Sequence, residues 1–92
     1  MHTLSKEDTD HRLSALPGWQ IVGGELTRTF KFADFIAAMA FVNRLGDRAE
    51  QVGHHPDIDI RYNRVRLALV THDAGGLTAK DFELAAAADK LV

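Results

Sequence analysis

Between Asp57 and Val70 apolar and polar residues alternate about a central Asn63-Arg64, with Ile58, Ile60 and Tyr62 before it and Val65, Leu67 and Leu69 after it. A period of two marks a strand that buries one face and wets the other. If Asn63-Arg64 is a two-residue turn, the two runs form an antiparallel hairpin whose apolar side chains share one face. A lone hairpin is marginal in water. This segment therefore requires more strands beside it and a cover on one side only.

The rest of the chain supplies both. Trp19–Val22 and Leu26–Phe32 read as a second pair of strands, joined by Gly23-Gly24, whose freedom to adopt positive φ suits a tight hairpin. Ser5 to Leu16 reads as a helix capped by Ser5, with Glu7 and Asp8 in its first turn and Pro17-Gly18 ending it. From Asp34 to Val52, Phe35, Met39, Val42, Leu45, Ala49 and Val52 recur at spacings of three and four, predicting one buried stripe, and Gly53 suits the helix end. Thr78 opens a last helix running to Leu91, with Asp81 placed as the short partner of a capping box. The predicted order is α-β-β-α-β-β-α, an α+β fold with one four-stranded antiparallel sheet and its helices packed on one face. At 92 residues this is one domain, 1–92, small enough that self-association would add stability.

Charge and composition narrow the function. The net charge of −2 comes from mixed acidic and basic residues with no long basic face, so binding driven by nucleic-acid phosphates is not expected. The absence of cysteine removes disulfides, thiolate metal sites and cysteine nucleophiles. The polar N-terminal stretch and the lack of a long apolar run predict a cytoplasmic protein without a membrane segment.

Five histidines remain to be accounted for. His2 at the terminus and His11 among charged residues of the first helix read as solvated surface groups. His54, His55 and His72 differ. A turn at Asn63-Arg64 pairs Tyr62 with Val65, Ile60 with Leu67 and Ile58 with Leu69. Extended, the same register sets Pro56 opposite Thr71 and His55 opposite His72, at the end of the sheet where the long helix finishes. Parity puts His55 and His72 on the polar face, which makes core packing a poor account of them. A single histidine there would read as a connector; three drawn together favour function. Imidazole is available in both protonation states near neutral pH, which suits general acid–base chemistry. Zinc bound by the three histidines with Asp57 or Asp59 is the competing use, but adjacent histidines on an extended chain point apart and no HExxH spacing occurs.

The segment from Glu50 to Asp81 resembles a known signature: Glu50, then His54-His55-Pro56, Tyr62, Thr71-His72 and Asp81. Gly18-Trp19 and Phe30–Phe35 extend the likeness over nearly the whole chain. It is similar to the pterin-4a-carbinolamine dehydratases, also called the dimerisation cofactor of a homeodomain transcription factor. The resemblance implies dehydration of 4a-hydroxytetrahydrobiopterin to quinonoid dihydropterin in tetrahydrobiopterin recycling, with no metal and no bound cofactor. It also implies a homodimer or homotetramer serving an aromatic amino acid hydroxylase. By the same resemblance His54 and His72 are an acid–base pair, His55 holds and orients the pterin, and Asp81 is an active-site carboxylate. Glu50, Pro56, Thr71 and Asp73 line the pocket. Asp81 as helix cap, and Tyr62 and Trp19 as core residues, are expected alongside. Two other roles stay open: a non-catalytic oligomerising module that binds a partner protein, and a task in molybdopterin metabolism.

Overall fold

The computed structural model describes residues 2–92. Helix α1 (Lys6–Ser14) starts where the Ser5 hydroxyl accepts the Asp8 N–H at 3.1 Å. Strands β1 (Gln20–Val22) and β2 (Glu25–Lys31) flank Gly23 and Gly24, both at positive φ, as a primed turn demands. Helix α2 (Phe35–Val52) is capped by Asp34 accepting from the Ala37 N–H at 2.8 Å. Strands β3 (Asp57–Arg61) and β4 (Arg64–Leu69), a short 3-10 turn (His72–Ala74) and helix α3 (Ala79–Lys90) complete the predicted order. Among the described residues no helix is long and apolar enough to cross a membrane.

The four strands form one antiparallel sheet in the order β1-β2-β4-β3, so the two hairpins meet along β2 and β4 and leave β1 and β3 as edges. Leu26 and Phe30 of β2 and Val65, Leu67 and Leu69 of β4 are buried beneath α2 and α3, while Arg64, Arg66, Asp57 and Asp59 face outward. This is the one-sided α+β layer that the alternation predicted.

The β3–β4 register differs from expectation by two residues. Ile60 pairs with Val65, Ile58 with Leu67 and Asp59 with Arg66, so the turn is Tyr62-Asn63, not Asn63-Arg64. A slip of two keeps every side chain on its face, so the parity assignment survives. The expected register would have set Arg61 opposite Arg66; the observed one sets an aspartate there, and opposite charges across a ladder are the favourable pair. Asn63 anchors the turn: its side-chain amide donates to the Phe32 carbonyl and its own carbonyl accepts the Phe32 N–H, both at 2.8 Å. Tyr62, expected in the apolar face, is instead exposed at the turn with φ of +50°.

The buried stripe of α2 is also rotated from the predicted one. Ala38, Phe41, Leu45 and Ala49 are buried, with Val42 partly so, whereas Phe35 and Val52 are half exposed. Phe41 sets the rotation: its ring centroid lies 5.0 Å from those of both Phe30 and Phe32, and the helix turns to bury the aromatic that meets the sheet. Trp19 is a core anchor as expected, edge-on to Phe30 at 6.0 Å.

Candidate active site

The end of α2 decides where the first two histidines go. Gly53 adopts the left-handed conformation, φ +67° and ψ +29°, with open space where a Cβ would point. Its N–H donates to the Glu50 carbonyl at 3.3 Å and the His54 N–H to that of Ala49 at 3.2 Å, the paired bonds of a Schellman ending. The chain leaves the helix sharply, and His54 and His55 fall between α2 and β3.

The third histidine arrives by another route. Thr71 bridges to Gly76, and the 3-10 turn between them is closed by the Ala74 and Gly75 N–H groups on the Thr71 carbonyl, each at 3.0 Å. His72 and Asp73 are thereby raised to the surface. The expected cross-strand pairing of His55 with His72 does not occur, because β4 ends at Leu69 and the turn begins before the ladder could reach that far. The histidines converge through a helix end and a loop.

Beneath them lies Asp81, fully buried in the first turn of α3. Its Oδ1 meets His54 Nε2 at 2.6 Å, and its Oδ2 accepts the Thr71 hydroxyl and the Thr78 N–H, both at 2.9 Å. The Thr78 and Thr71 hydroxyls lie 2.8 Å apart, so with Thr71 donating to Asp81, Thr78 donates to Thr71. A buried carboxylate is costly unless paired and hydrogen-bonded, and here three donors converge on it. Asp81 thus caps α3 and holds His54 at once. With Asp81 ionised, only acceptors face His54 Nε2, so that nitrogen carries hydrogen and Nδ1 is the nitrogen left for other work.

A pocket of about 230 Å³ opens above this pair, lined by Gly53, His54, His55, Val70, Thr71, His72, Asp73 and Lys80. All three histidines, Thr71 and Asp73 therefore share one cavity. His55 is held at the rim by Glu50, whose Oε2 lies 2.5 Å from its Nε2; both side chains are well exposed and the contact is open to screening. Pro56 is half-buried but outside the lining. Lys80, which sequence reasoning passed over, faces the same space; its place directly before Asp81 at a helix start was the available signal. Among the described residues no group of three or more histidines and carboxylates is placed to hold a metal ion. A larger cleft between α1 and α3, about 670 Å³ and lined by Leu4, Arg12 and Phe82 among others, is open to solvent, and His11 is its one histidine.

The family described as pterin 4 alpha carbinolamine dehydratase matches residues 2–91. A protein of Acidobacterium capsulatum, provisionally named a pterin-4-alpha-carbinolamine dehydratase, is 59% identical over the full length of both chains. A transcriptional coactivator/pterin dehydratase from Brucella melitensis superposes with a TM-score of 0.94 at 36% identity, covering 98% of each chain. A pterin dehydratase-like protein described as a RuBisCO assembly factor in the alpha-carboxysome superposes with a TM-score of 0.69 at 26% identity, covering 80% of this chain and 88% of that one.

Proposed function

We propose that this chain, which belongs to the pterin 4 alpha carbinolamine dehydratase family, eliminates water from a 4a-hydroxytetrahydropterin to leave the quinonoid dihydropterin. Hydroxide is a poor leaving group, so the oxygen on C4a needs a proton as its bond breaks, and the adjacent ring N–H must lose one as the C=N bond forms. One water departs and no electrons are exchanged. The pocket offers two imidazoles suited to this: His54, oriented by Asp81, and His72, exposed on the facing loop without a side-chain hydrogen bond among the described residues. Neutral imidazole takes the ring proton and imidazolium supplies the other. His55, steadied by Glu50, and Thr71 and Asp73 bind and orient the ring.

The observation that carries this reading is the buried His54–Asp81 contact opening onto a cavity that the other two histidines also line. Stopped-flow decay of 4a-hydroxytetrahydropterin tests it. The protein accelerates the decay, and His72→Ala or His54→Ala lowers that acceleration by about 10²-fold, the usual contribution of a proton-transfer group. For His72→Ala, on an exposed turn, unfolding free energy stays within about 0.5 kcal/mol. Undiminished rates in both variants would overturn the assignment.

A second reading, binding of a partner protein without catalysis, is favoured by the names of the two structural neighbours and by the exposed apolar Phe35 and Ile36 on α2. Self-association fits either reading, since both edge strands are open and Val22 and Ile58 are partly exposed on them. A purely binding role leaves His72→Ala without consequence.

A further inference from the structure

A second cavity, of about 270 Å³, lies in the groove between α2 and α3, lined by Arg48, Val52, His54, Lys80, Glu83, Leu84 and Ala87. It shares two wall residues, His54 and Lys80, with the histidine pocket. Its floor is apolar, from Val52, Leu84 and Ala87, and its charged groups are two cations against one carboxylate. Neither Arg48 nor Lys80 nor Glu83 forms an ion pair among the described residues. Lys80 is also the second residue of α3, where the helix dipole adds to the positive potential.

Resting on the dehydratase reading, we propose that the protein selects pterins whose ring substituent ends in an anionic group, received by Arg48 and Lys80 in this α2–α3 cavity. A bicyclic ring set with its reacting carbon against His54 and its substituent toward Lys80 directs that substituent to the wall the two cavities share. The cavity on the other side of that same residue offers apolar surface for the methylene part and two uncompensated cations for the end. Lys80 and Glu83 lie one turn apart on α3 and Arg48 faces them from α2, so an anion there meets two cations against one opposing carboxylate.

The test compares a pterin bearing a hydroxyalkyl substituent with the same molecule as its phosphate monoester. With both 4a-hydroxytetrahydro forms as substrates, kcat/KM for the ester exceeds that for the neutral pterin by about tenfold, the scale of a hydrogen bond to a charged group. Arg48→Met, which lines only the second cavity, removes most of that preference, Arg48→Lys restores part of it, and added salt erodes it. Equal kcat/KM for the two pterins, or a preference that survives Arg48→Met, overturns the inference while dehydration itself stands. If neither pterin is dehydrated, the dehydratase reading fails, and equilibrium binding of the two dihydro forms then decides the subsite. Tighter binding of the ester that is lost in Arg48→Met supports it; indistinguishable binding overturns it.

Discussion

Helix α3 carries an aspartate near each end, and each receives a ring nitrogen from a distant segment. Asp89 accepts the Trp19 indole N–H on both oxygens, at 3.0 and 3.1 Å, and the Arg28 guanidinium at 2.9 Å. Asp81 receives His54, Thr71 and Thr78. The ring-nitrogen contact is shorter at Asp81, 2.6 Å, and the two clusters differ in chemistry. An indole N–H only donates and an arginine keeps its charge, so neither partner of Asp89 can exchange a proton for chemistry and the cluster serves as a clamp. An imidazole both donates and accepts, and among the described residues Asp81 meets no permanent cation. Burial differs too: the Asp81 side chain is fully buried, while that of Asp89 is 27% exposed. On the proposed dehydration, the same helix holds a structural carboxylate at one end and a chemical one at the other.

Substituting the carboxylates in turn shows whether that contrast is real. Asp81→Ala strands the buried donors of His54, Thr71 and Thr78; urea denaturation should show a loss of roughly 3 kcal/mol, and the dehydration rate should fall with it. Asp81→Asn is nearly as harmful, because its amide would set a donor against donors wherever it replaces Oδ2. Asp89→Ala frees the Trp19 N–H and Arg28 at a partly wetted site and should cost about 1–2 kcal/mol, with dehydration by the folded protein within twofold of the original. A rate loss in Asp89→Ala as large as in Asp81→Ala would erase the distinction. The third such pair, His55 with Glu50, is exposed, and Glu50→Gln should change stability by less than about 0.5 kcal/mol, its effect appearing instead as a modest rise in KM.

The residues explain which parts of this were legible in advance. The element order, the glycine hairpin and the caps at Ser5 and Thr78 follow from neighbours within a few positions. Parity in β3 and β4 was legible because alternation survives a slip of two. The register was not, since it depends on Asn63 reaching Phe32 across the sheet. Nor was the rotation of α2, which Phe30 and Phe32 impose on Phe41. The histidine set stood out by spacing, but Thr78 read only as a cap, and Lys80 drew no reading.

Local pattern determined that there would be two hairpins, three helices and a wet and a dry face, because propensity, capping and alternation act between residues near in the chain. Only the packed molecule decided that His54 would meet Asp81, that Thr71 and Thr78 would complete the carboxylate's shell, and that His72 would face the same cavity from a loop. Those contacts join segments of separate elements, and their geometry depends on how far α2, β4 and α3 are drawn together by a core to which none of the site residues contributes an apolar side chain.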